Sequence, residues 1–76
     1  MEHRRIGDRW LAGEALAGIA FARHDSVRIA SGAFEGRVGS ITLLLTPPPD
    51  PLYLVELRGE PGGDVRVRQS ALQRVL

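Results

Sequence analysis

Asp25-Ser26-Val27-Arg28-Ile29-Ala30-Ser31-Gly32-Ala33-Phe34-Glu35-Gly36-Arg37-Val38-Gly39-Ser40-Ile41 is the stretch on which the fold turns. Val27 and Ile29 flank Arg28 with a period of two, the mark of a strand with one face in a core and one in water. Gly32 frees the backbone to turn at no steric cost. Phe34 then lies where it can cap a core from the end of a sheet. Gly36 and Gly39 permit a sharp re-entry into a second strand.

Working outward, Arg37–Leu45 reads as that longer second strand, apolar at Val38, Ile41, Leu43 and Leu45. The run Pro47-Pro48-Pro49-Asp50-Pro51 has too few N–H donors for a ladder and must be a loop. Leu52–Leu57 reads as a third strand, with Leu52, Leu54 and Leu57 set inward against Tyr53 and Val55 on the other face. Glu60-Pro61-Gly62-Gly63 turns the chain. Asp64–Arg68 alternates again, Val65 and Val67 inward, Arg66 and Arg68 outward. Ser70–Gln73 suits a short helical turn, and Arg74–Leu76 a closing strand. Five short strands joined by tight turns predict a mainly β fold, a small five-stranded barrel, because closure removes exposed edges. An open sheet with one helix packed over it is the competing architecture.

Upstream of Arg23 the character changes. Ile6, Trp10, Leu11, Leu16 and Ile19 recur at spacings that suit one face of a helix, so residues 1–22 are expected to be helical. Gly7, Gly13 and Gly18 each weaken such a helix by up to about 1 kcal/mol relative to alanine. Residues 1–23 are thus an N-terminal helical extension and residues 24–76 the barrel. Asp8, Arg9 and Glu14 interrupt the apolar run that a secretory leader needs. No transmembrane span is expected, and the cytoplasm is the default compartment.

The quoted stretch resembles the KOW motif of the NusG C-terminal domain and of related ribosomal and elongation proteins. In that family an Asp precedes a Val-x-Val strand, followed by Gly-x-Phe and by a Gly before the next strand. The matching residues here are Val27, Ile29, Gly32, Phe34, Gly36 and Gly39. The ending, Val65-Arg66-Val67-Arg68-Gln69-Ser70-Ala71-Leu72-Gln73-Arg74-Val75, resembles the last strand, helical turn and closing strand of the same domain. Together the two stretches cover 28 of the 76 residues. The resemblance implies an SH3-like barrel acting as a binding module in the transcription or translation machinery. NusG-type proteins also carry a separate domain that contacts RNA polymerase, which 22 residues are not expected to build. The family's Phe-Gly pair after the middle strand corresponds here to Leu57-Arg58-Gly59-Glu60, without the Phe.

Charge and composition narrow the function classes. Among 76 residues there are ten basic and nine acidic side chains, no cysteine, and a formal net charge of +1. All the basic residues are arginine. Lack of cysteine removes disulfides, a thiolate nucleophile and cysteine-based metal sites. Near-neutrality argues against coating nucleic acid by charge alone. His24-Asp25 has neither a nucleophile nor further ligands at metal spacing and is better explained by a strand-entry turn. No catalytic residue, metal or cofactor is expected.

Two binding readings remain. A protein-binding adaptor calls for an exposed apolar groove lined by Phe34, Tyr53 and the 58–63 loop with Arg58, and for Trp10 as an anchor if the helix docks on a partner or a second copy. The helix packing on the barrel is the bland counterpart. An RNA-binding module calls for Arg28, Arg37, Arg66, Arg68 and Arg74 to converge on one outer face, where the guanidinium fork suits phosphate. A solvated arginine-bearing face is the bland counterpart there. Pro48-Pro49-Asp50-Pro51 fits a polyproline ligand pattern, although such clusters more often stiffen a loop.

Overall fold

The computed structural model describes residues 2–75, with side chains from Ile6 to Val75. Helix α1 spans Glu2–Leu11, and the strands are β1 Ser26–Ile29, β2 Val38–Thr46, β3 Leu52–Leu57, β4 Gly63–Arg68 and β5 Leu72–Arg74. A 3-10 turn, Gln69–Ala71, joins β4 to β5. All strands belong to one antiparallel sheet in the order β4-β3-β2-β1-β5. The mainly β expectation therefore holds.

The connection between the last two strands dictates the sheet's shape. Strands about 4.8 Å apart would set the two ends of a flat five-stranded sheet about 19 Å from one another. A three-residue 3-10 turn advances only about 6 Å. The sheet must coil so that the end of β4 comes near the start of β5. Among the described residues no ladder joins β4 to β5, so the sheet is curled but not closed.

The core lies inside the curl. Val27, Ile29, Ile41, Tyr53, Val55, Leu57, Val67 and Leu72 bury their side chains there, joined by Trp10 and Phe21 from the N-terminal segment. This corrects the phase expected for β3. Tyr53, Val55 and Leu57 face the core, while Leu52 and Leu54 face outward and are half-buried. With apolar residues on both sides of Leu52–Val55, alternation alone carried no phase. The register onto β2 sets it, because Leu57 and Val55 lie opposite Gly39 and Ile41.

A second correction concerns β2. An unbroken strand would keep Ile41, Leu43 and Leu45 on one face. The pairing slips between Ile41 and Leu43 and again between Leu44 and Thr46. Each slip is a bulge that inserts an unpaired residue and reverses the side-chain phase. Leu44 consequently packs on the core, while Leu43 and Leu45 are exposed.

The third correction is the helix, which ends at Leu11 rather than near residue 22. Gly13 turns back on it, its N–H donating to the Trp10 carbonyl at 3.0 Å with φ of 87°. That is a left-handed conformation cheap only for glycine. Residues 12–25 have no regular element, yet Leu16 and Ile19 pack against the core and Phe21 enters it. Trp10 is only 3% exposed and donates its indole N–H to the Phe21 carbonyl at 2.7 Å. Its ring lies 6.5 Å from Tyr53, and Phe21 meets Tyr53 edge-on at 5.7 Å. Trp10 thus packs on the sheet and is not an exposed anchor. Among the described residues no helix is long and apolar enough to cross a membrane.

Candidate functional site

The turn after β1 is built as its glycines suggested. Gly32 and Gly36 have φ of 92° and 90°, and the Gly36 N–H donates to the Ile29 carbonyl at 2.7 Å. Pinning Gly36 beneath Ile29 pushes the residues between them outward as a loop. Phe34 projects from it 39% exposed, a large aromatic left in water. Opposite the loop runs β4, whose Val65 and Val67 turn toward the core and whose Arg66 and Arg68 are exposed. Between them lies an open groove of about 380 Å³, lined by Ser31, Gly32 and Phe34 on one side and by Arg66, Val67 and Arg68 on the other. Ile29 and Ala71 also line it, and among the described residues no acidic side chain does. An apolar floor with two guanidinium groups on one wall can hold an apolar side chain and an anionic one at the same time.

The loop at 47–51 is tied to Arg68 of this groove and to Ser70. Asp50 adopts a left-handed φ of 49° and accepts both the Ser70 N–H and the Ser70 hydroxyl at 2.8 Å. Those two bonds favour the ionised form and hold the Asp50 carboxyl below the usual aspartate range, with Arg68 adding a smaller pull. The Asp50 carbonyl accepts from Arg68 at 3.3 Å. The Pro-rich stretch therefore serves the fold, and Pro51 is fully buried.

Tyr53 is not part of the Phe34 groove. It is fully buried, which pushes its hydroxyl pKa up, and its O–H donates to the Gln69 side-chain oxygen at 2.6 Å. Arg58 is exposed but reaches across β1 and β2, donating to Ser26 Oγ at 2.9 Å and Ser40 Oγ at 3.2 Å. Of the expected protein-binding set, Phe34 alone lines the groove. Trp10 and Tyr53 are core residues, and Arg58 lies on the outer face of β1 and β2.

The five arginines do not form one surface. Arg37 clamps the neighbouring loop, donating to the carbonyls of Arg58 at 2.9 Å and Pro61 at 2.6 Å. Arg74 sits at the mouth of the core, bonded to Asp25 at 3.1 Å and to the Ala20 carbonyl at 2.6 Å, its guanidinium 5.2 Å from the Phe21 ring centre. Arg28 projects outward from β1, which is separated from β4 by both β2 and β3 in the sheet order. Only Arg66 and Arg68 are brought together. The sequence offered no signal for this division, since the capping partners are mostly carbonyl groups distant along the chain.

Two other hollows, of about 300 and 240 Å³, lie along residues 15–22. They are lined chiefly by alkyl groups, and their arginines are already tied, Arg9 to Glu14 at 2.7 Å and Arg74 to Asp25. His24 and Asp25 form the strand-entry turn. The His24 N–H donates to Ile41, and Asp25 accepts the Ala22 N–H at 2.9 Å. Among the described residues, no three His, Asp or Glu side chains gather as a metal site. Compared with protein-family models, curated proteins and solved structures, the chain matches none.

Proposed function

We propose that the chain is a non-catalytic binding module of SH3-like architecture, an incompletely closed five-stranded barrel that receives a segment of another protein in its Phe34 groove. The observation that carries this reading is the pairing of an exposed Phe34 with Arg66 and Arg68 across a hollow without acidic lining among the described residues. A large aromatic held in water at a concave site, next to arginines, has the make-up of an interface hot spot. The strand order and the 3-10 turn before β5 support the SH3-like description. The KOW resemblance supports a cytoplasmic role beside transcription or translation machinery.

RNA binding is the second reading, favoured by the same two arginines and by Phe34 as a stacking platform. It has one aromatic and two clustered cations to draw on, because Arg37 and Arg74 are committed within the fold.

The test is amide NMR of the labelled protein against an array of short peptides and a single-stranded RNA decamer. Peptide binders should shift residues 31–34, 66–68 and 71, and Phe34→Ala should weaken them about tenfold. If only RNA binds, with affinity falling steeply as salt rises, the second reading replaces the first. If nothing Phe34-dependent binds, both fail.

A further inference from the structure

Strand β4 is the end of the sheet, paired on one side only. Three hydrogen bonds fix which of its backbone groups face outward. The Leu52 N–H donates to Thr46 Oγ1 and the Leu54 carbonyl accepts from Thr42 Oγ1, so both residues direct their backbone groups toward β2. The Gln69 N–H donates to the Pro51 carbonyl at 2.8 Å. Antiparallel ladders alternate bonded and non-bonded pairs. With Leu52 opposite Arg68, Leu54 opposite Arg66 and Glu56 opposite Asp64, those pairs are the non-bonded ones. Hence Val65 and Val67 exchange bonds with β3. The N–H and C=O groups of Asp64, Arg66 and Arg68 point away from the sheet, along the edge that borders the Phe34 groove.

We infer that the groove takes an extended peptide that adds to β4 as a sixth strand and alternates acidic with apolar residues. The inference rests on the protein-binding reading and names its partner. The open row of donors and acceptors selects an extended backbone. Residues of an added strand would alternate between the two sheet faces. Those on the outer face meet Arg66 and Arg68 as cross-strand neighbours, with Asp64 on the same face at the start of the strand, so carboxylates are favoured opposite the two arginines. Those on the other face meet Val67, Ala71 and Phe34, which favours apolar side chains. A second copy of β4 is a poor occupant, because antiparallel pairing centred on Arg66 sets that arginine against itself.

The experiment uses the intact protein and an eight-residue peptide of alternating glutamate and valine. Its controls are the lysine–valine counterpart and the glutamate–valine peptide N-methylated at alternate residues, which keeps the side chains but removes the donors. The first peptide should bind and slow amide exchange at Arg66 and Arg68 about tenfold or more. The other two should bind at least about tenfold more weakly. Arg66→Glu with Arg68→Glu, both at exposed positions, should switch the preference to the lysine–valine peptide. Unchanged exchange at Arg66 and Arg68, or equal binding of the methylated peptide, overturns strand addition while leaving the groove a peptide site. Binding of none of these peptides at millimolar concentration also overturns it. The protein-binding reading itself falls only if the wider peptide array yields no Phe34-dependent binder.

Discussion

Gln69 accepts the Tyr53 hydroxyl at 2.6 Å across 16 residues of chain, and the same oxygen accepts the Ala20 N–H at 2.9 Å. Its amide nitrogen donates to the Gly18 carbonyl at 3.2 Å. One side chain therefore satisfies the polar tip of a fully buried tyrosine and ties residues 18–20 to the sheet. Gln69→Ala should cost about 1–3 kcal/mol, the range for leaving a buried donor unpaired. Tyr53→Phe alone should cost about 1 kcal/mol. Because the two changes remove one shared bond, the double variant should be less destabilised than their sum. Thermal melts of the four proteins read the coupling, and strict additivity would dissolve the link.

Trp10 stands at the other end of that aromatic group. Truncating a buried aromatic costs about 3–5 kcal/mol, a large part of the about 5–15 kcal/mol that holds a small domain together. Trp10→Ala should lower the melting temperature steeply, with the native protein's association state unchanged. A variant that melts normally but loses self-association would return Trp10 to an interface.

What was legible in the sequence followed from whether a local rule had a single solution. Val27-Arg28-Ile29 and Val65-Arg66-Val67 each allowed one phase, and β1 and β4 lie where they were expected. Leu52-Tyr53-Leu54-Val55 allowed two, and only pairing with β2 chose between them. The bulges in β2 have no marker in the sequence, so Leu43 could not be told from a core residue. Gly13 did mark the end of helical backbone, but read as a weak helix position it let α1 run too far. Phe34 was legible as a loop aromatic. Its partners were not, because the curl that brings Arg66 and Arg68 opposite it is a property of the whole sheet.

Gly36 and Gly39 should respond differently to alanine. At Gly36 a Cβ meets nothing within 4 Å, so only the left-handed φ of 90° resists it, at about 1–2 kcal/mol. At Gly39 a Cβ would collide with the Glu56 carbonyl oxygen and lie 2.8 Å from Val55 Cγ1. Backbone in the middle of a sheet gives way poorly, so Gly39→Ala should cost about 2–3 kcal/mol. Denaturant midpoints should fall further for Gly39→Ala than for Gly36→Ala, and the reverse order would contradict the β2–β3 register.

Asp50 makes stability sensitive to acid. Its pKa is depressed in the folded state by the two Ser70 bonds. A depressed carboxyl contributes stability at pH values above its unfolded pKa, and that contribution disappears as pH falls through the folded value. Ser70→Ala removes the hydroxyl bond and should raise the Asp50 pKa toward the ordinary range. Carboxyl NMR titration reads the shift, and the stability difference between the two proteins should vanish at low pH. An unmoved Asp50 would mean that the hydroxyl is not its partner in solution.

Arg74 tests whether shape or charge closes the mouth of the core. Its guanidinium contacts Asp25, the Ala20 carbonyl and the Phe21 ring together. An ammonium of equal charge cannot serve all three, because it lacks the planar fork and the flat face. The ion pair is half exposed on the arginine side, and such pairs contribute at most about 1 kcal/mol. Arg74→Lys keeps the charge and should still lose about 0.5–1.5 kcal/mol, the carbonyl bond and the stacking on Phe21 accounting for most of it. Because those two contacts are short-ranged and little screened, the loss should persist in molar salt, where a simple ion pair would be masked. If the lysine protein melts like the parent at every salt concentration, charge alone closes the mouth and Phe21 is held by its own burial.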